Sequence, residues 1–164
     1  MRAPKPHQWL QLTASLRLIF SISQVDLILH FYSPVMPFHL FLLRHAETEP
    51  QQSGQSDFDR ELLPKGFEQI GHIAQHLTKI GFSPDTIICS SARRAKTTAM
   101  TLIELLKMPL NKVQFNTSIY TAEANGLLDL IHETDDHSQG LLVIGHNPAL
   151  SDLATYLVKG FADG

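Results

Sequence analysis

Three short apolar runs, each cut off by polar or basic residues, punctuate the chain: 38–43 before Arg44-His45, 86–89 before Ser90-Ser91, and 141–144 before Gly145-His146. Runs this short, continuous rather than alternating, predict strands buried on both faces, as in a parallel sheet. Helical patterns separate them. Phe67, Ile70, Ile73, Ala74 and Leu77 predict a helix over about 67–80, with Gly81 as its stop. A second helix is expected after Ser90-Ser91, running to about Leu106 and capped by serine. A third covers about 124–133, and a fourth carries Leu150, Leu153, Ala154, Leu157 and Val158 on one face up to Gly160. Residues 112–120 read as a short strand and its exit loop. Strands alternating with helices indicate an α/β protein, a three-layer α/β/α sandwich with a mainly parallel sheet.

Residues 1–35 stand apart from this pattern, and the domain proper is expected over 36–164. The stretch 9–32 is hydrophobic but carries Arg17 and Asp26, and its apolar positions follow neither helical nor strand periodicity. A charge near the bilayer centre costs about 2.5–3.5 kcal/mol on insertion scales, so a spanning helix is a poor reading. No clean small-residue cleavage site follows the basic start, as a signal peptide would require. A start assigned upstream of Met36, a membrane-associated segment and a structural extension all remain open. Membrane contact is expected only if this stretch is part of the native protein; the expected location is otherwise cytoplasmic.

With 164 residues, 43% apolar and 18% charged, the chain is an ordinary single globular domain. Its net charge of −3 argues against a general nucleic-acid binder. The single cysteine, Cys89, lies inside an apolar run and reads as a buried strand residue. No zinc-type Cys/His spacing is present. His72 and His76 are one helical turn apart but have no third ligand nearby, and with His39 and His137 they read as surface or strand-flanking residues.

The chemistry is concentrated where the strands end. Open α/β sheets place ligands at the C-terminal ends of their strands, and here those ends carry Arg44, His45, Arg94 and His146. Guanidinium is the preferred planar binder of phosphate oxygens, and a helix opening near Ser90 adds N–H donors. A pocket this positive suits a phosphoryl group and repels a divalent cation. A neutral histidine can attack phosphorus and form a covalent phosphohistidine. Neighbouring arginines depress its pKa and keep it unprotonated. The long polar loop 46–65 covers this region, a common place for function.

Leu42-Leu43-Arg44-His45-Ala46-Glu47-Thr48 resembles the Arg-His-Gly motif of the histidine phosphatase (phosphoglycerate mutase-like) superfamily. Ser90-Ser91-Ala92-Arg93-Arg94-Ala95 is similar to its second motif, and Val143-Ile144-Gly145-His146-Asn147-Pro148 to its second-histidine motif. Together with Arg60-Glu61-Leu62-Leu63-Pro64-Lys65-Gly66, these look closest to the SixA-type phosphohistidine phosphatase branch. The resemblance implies His45 as the phosphorylated nucleophile, with Arg44, Arg94 and His146 binding phosphate and His146 stabilising transition-state charge. It also points to Thr48 and Asn147 as substrate-binding residues, and leaves Arg93 on the surface. No metal and no cofactor is implied. Ala46 stands where the family most often has glycine. Glu123 lies near where larger relatives carry a general acid, and equally suits the start of a helix. Relatives usually continue into a further strand after the helix that follows His146, so a missing edge strand is expected. The expected activity is metal-independent phosphatase action on protein phosphohistidine, the partner being a phosphohistidine-bearing phosphotransfer domain. Alternatives are a small-molecule phosphatase, taking a sugar phosphate or nucleotide, and a non-catalytic phosphate-binding module.

Overall fold

A computed structural model describes residues 28–33, 38–134 and 138–162. In chain order the elements are β1 (Ile28–Ser33), β2 (Phe38–Arg44), α1 (Pro64–Lys79), β3 (Thr86–Ser90), α2 (Arg93–Leu105), β4 (Val113–Asn116), α3 (Ala124–His132), β5 (Gly140–Gly145) and α4 (Ala149–Ala162). Short 3-10 turns occupy Asp57–Asp59, Leu110–Lys112 and Thr117–Tyr120. The sheet order is β1-β2-β5-β3-β4, with β2, β5, β3 and β4 parallel and β1 antiparallel on the outside of β2.

Successive strand residues point to opposite faces, and the buried residues divide accordingly. Phe41, Leu43, Ile87, Cys89, Leu142 and Ile144 pack with Ile70, Ile73 and Leu77 of α1 and Ala95, Ala99 and Leu102 of α2. Leu40, Leu42, Ile88, Leu141 and Val143 pack with Leu127 and Ile131 of α3 and Leu150, Leu153 and Leu157 of α4. The result is the three-layer α/β/α sandwich with a mainly parallel sheet. Cys89 is a free thiol buried in the first of these layers.

The helices depart from expectation in informative ways. Helix α1 starts at Pro64, since proline suits the first helical turn. Its inner face runs Gly66, Gln69, Ile70, Ile73, Ala74, Leu77, and Phe67 is exposed. Gly66 sets this rotation: a Cβ there would stand 2.5 Å from the Glu47 carbonyl oxygen, so only glycine lets the helix lie on that loop. Gly81, at φ +68°, ends the helix as expected. Helix α2 ends on Lys107, at φ 54°, without a glycine. Its N-cap is Ala92 rather than a serine, and Val158 of α4 is exposed.

The sheet also reaches into the stretch that the sequence sets apart. Strand β1 pairs along its full length with β2, from Ile28 opposite Leu43 to Ser33 opposite Phe38. Its own residues carry no strand periodicity; pairing with an open sheet edge selects the conformation there. No helix among the described residues is long and apolar enough to cross a membrane. His137 lies outside the described residues.

Candidate active site

Strand register brings the site together. Arg44, the last residue of β2, lies opposite Gly145, the last of β5, and Cys89 of β3 lies opposite Ile144. The residues that follow, His45, His146 and Ser90, therefore share one end of the sheet. The His45 N–H extends the ladder by one bond to the Gly145 carbonyl (3.2 Å). The chain then turns beneath α2, where the Ala46 N–H donates to Thr98 Oγ1 at 3.0 Å and that hydroxyl donates to the Arg94 carbonyl at 2.7 Å. Gln69 accepts from the Glu47 N–H at 2.9 Å. Ala46 is buried among apolar neighbours and is not in the left-handed region, so nothing here demands the glycine of the family pattern.

His45 is buried, and its Nδ1 is 2.8 Å from the Ala46 carbonyl oxygen. A carbonyl only accepts, so the proton sits on Nδ1 and the lone pair on Nε2. That lone pair accepts from Arg94 Nε at 3.1 Å. Burial, then the charges of Arg94, Arg44 and Arg60, push the imidazole pKa down to about 4, against the pull of the Ala46 bond. At neutral pH the ring is uncharged.

His146 lies beside it, the ring centroids 5.2 Å apart. Its Nε2 is 2.8 Å from Ser90 Oγ, which also accepts from the Ala92 N–H at 3.3 Å. Burial, with Arg94 and His45, pushes this imidazole down to about 4 as well. Ser90 Oγ can give its proton to this ring or accept from it, so the contact holds the ring in place. Nδ1 is buried and has no hydrogen-bond partner in the protein, so one ring nitrogen beside His45 is left uncommitted. The serine expected to cap α2 instead orients this histidine.

Four of the sequence-predicted residues, Arg44, His45, Arg94 and His146, meet at the strand ends. Arg93, one position from the buried Arg94, is exposed and pairs with Glu61 at 2.6 Å. Thr48 accepts a hydrogen bond from Arg60, Asn147 is exposed at the turn into α4, and Glu123 is the exposed N-cap of α3.

Three further residues belong to the site. Asp57 places Oδ2 at 2.9 Å from Arg94 Nη2 and 3.0 Å from the Tyr120 hydroxyl, and Oδ1 at 2.9 Å from Arg60 Nη1. The Arg60 bond, above all, takes the Asp57 pKa down to about 2. Tyr120 stands edge-on to His146, with ring centroids 5.7 Å apart, and Phe58 packs edge-on behind it. Asp57 and Tyr120 are 63 positions apart, and periodicity holds no trace of such a pairing. Arg60 sits in one of the stretches that carry the family resemblance, which was the one available signal.

Fold and site define a parallel α/β protein with an uncharged imidazole ringed by guanidinium groups at its strand ends. The chain belongs to the histidine phosphatase superfamily: the model of its branch 1 matches residues 40–115. An uncharacterized protein of Mycobacterium tuberculosis is 31% identical over 118 residues, covering 71% of this chain and 70% of that one. Mitochondrial serine/threonine-protein phosphatase PGAM5 of Xenopus tropicalis is 37% identical over 75 residues, 46% of this chain; the match spans only 26% of PGAM5. Among solved structures, SixA from Agrobacterium tumefaciens, assigned as a phosphohistidine phosphatase, superposes with a TM-score of 0.67 at 27% identity. That match covers 74% of this chain and 77% of SixA, which makes the fold SixA-like.

Proposed function

We propose that this protein is a phosphatase that works through a covalent phosphohistidine on His45 and takes proteins bearing phosphohistidine as substrates. The carrying observation is the state of His45: the ring is buried and neutral, and the Nε2 lone pair is directed at the arginine-lined site. That lone pair attacks phosphorus, a new P–N bond forms, and the substrate's own P–N bond breaks, its electrons going to a substrate ring that carries a proton on its other nitrogen and so leaves as neutral imidazole. Water then attacks the phosphoenzyme, inorganic phosphate departs and His45 recovers its lone pair. Arg94 and Arg44 supply positive charge to the transferring oxygens, with the neutral His146 ring beside them.

The leaving group separates phosphohistidine from phosphoester. An alkoxide needs a proton as it leaves, whereas an imidazole departs from phosphorus readily. Asp57, the carboxylate nearest Arg94, keeps its charge down to about pH 2 and carries no proton to give. Likeness to SixA supports the same reading. Likeness to PGAM5, named for serine and threonine, favours a second one, phosphoester hydrolysis with Glu123 as acid.

The test offers the protein a phosphohistidine-bearing phosphotransfer domain and, separately, a phosphoserine peptide, both in EDTA, with His45→Ala as control. Phosphate release from the first that survives EDTA and vanishes in His45→Ala is the expected result. Release from the ester alone, abolished by Glu123→Gln, selects the second reading. Partner binding without release, retained in His45→Ala, selects a phosphate-binding module.

A further inference from the structure

The site contains a resident anion. Arg94 spends Nε on His45, Nη1 on the Asp57 carbonyl and Nη2 on the Asp57 carboxylate. Arg60 is similarly committed: Nε and Nη2 go to the Glu49 carbonyl, Nη2 also to Thr48, and Nη1 to Asp57. The Asp57 side chain is 34% exposed while that of Arg94 is 6% exposed, so the carboxylate lies on the solvent side of the guanidinium it holds.

We propose that Asp57 is a specificity-determining residue, which selects against substrates carrying a second anionic group close to the phosphoryl group. This rests on reading the pocket as a phosphoryl site. A phosphate needs cations, and Arg44 and Arg94 provide them. A carboxylate or second phosphate beside it would seek a further cation, and instead meets Asp57, which already pairs with both Arg60 and Arg94 at 2.9 Å. The same fixed charge is compatible with a neutral or cationic leaving group, which is what an imidazole on a protein offers. Within the phosphoryl class, Asp57 therefore favours phosphohistidine over acidic metabolites. A like charge roughly 5–7 Å away, partly screened by solvent, changes affinity by about tenfold.

The test is calorimetric titration of the full chain with two phosphonates whose C–P bond cannot be hydrolysed: propylphosphonate and 2-carboxyethylphosphonate. They match in length and differ by one carboxylate. Wild type is expected to bind the carboxylated ligand more weakly. Asp57→Asn shifts the ratio of dissociation constants about tenfold toward it, Asp57→Ser does the same, and Asp57→Glu restores the wild-type ratio. An unchanged ratio in both charge-removing variants, whether both affinities rise, fall or stay put, overturns the proposal and reduces Asp57 to a positioning residue for Arg94. Such a result leaves the proposed function intact. Absence of binding by either ligand to wild type and variants removes the phosphoryl site itself, and that reading falls with it.

Discussion

His45 and His146 sit side by side but are held by different partners. A backbone carbonyl sets the His45 proton on Nδ1, and the Ser90 hydroxyl, which also accepts from the Ala92 N–H, holds the His146 ring. Both rings are neutral in the fold with pKa near 4, against 6.5 for a free imidazole. Between those values the unfolded chain binds more protons than the folded one. Stability from this source is fully present above pH 6.5 and is lost as pH falls through 4, with a slope of up to about 1.4 kcal/mol per pH unit from the buried His45 and less from the more exposed His146. Urea unfolding between pH 4.5 and 7.5 should show this slope, and His45→Ala should be inactive yet less acid-sensitive. Catalytic activity should keep its acid limb well below pH 6. The four motif residues were legible in the sequence because Arg44 ends a buried strand, His45 and His146 directly follow one, and Arg94 opens the next helix. Asp57, Tyr120 and Ser90 were not, since their roles arise only when a loop, a 3-10 turn and a strand end meet.

Backbone fit at two points decides how well the elements seat. Helix α1 approaches the loop after His45 at Gly66, where an added Cβ would meet the Glu47 carbonyl at 2.5 Å, and that carbonyl also accepts from the Leu63 N–H. Backbone has to move to admit it. Gly66→Ala is expected to cost about 1–3 kcal/mol, read from the urea midpoint, and to lower turnover through displacement of Ala46 and Glu47. At the end of α2 the sign reverses. Lys107 occupies the left-handed conformation that glycine takes without strain, and the Met108 N–H closes the turn onto the Ile103 carbonyl. Lys107→Gly should stabilise by about 1 kcal/mol, seen as a higher midpoint at unchanged activity. The pattern of apolar residues located both helices. It misassigned Phe67 to the core, because a close backbone approach rather than hydrophobicity rotates α1.

Across the whole molecule, the apolar runs specified a parallel sheet covered on both sides, and that architecture followed from them. The outer edge did not, because β1 draws its conformation from β2 rather than from its own pattern. This gives the strand a physical role. The β2 backbone is paired to β5 on one side and to β1 on the other, through six residue pairs. Without β1, an apolar strand would present unpaired N–H and C=O groups to solvent, and such an edge recruits other chains. A chain begun at Met36 tests this directly, and it is also the product expected if translation starts there. It should unfold at lower urea and sediment as concentration-dependent oligomers, while its monomeric fraction keeps phosphate release, because His45, His146, Ser90 and Arg94 all lie on or after β2. A shortened chain that is monomeric and equally stable would show that β1 does not guard the edge. Loss of activity in a monomer that remains folded would show that the strand, although remote from the reacting groups by sequence, holds the end of β2 and with it the nucleophile.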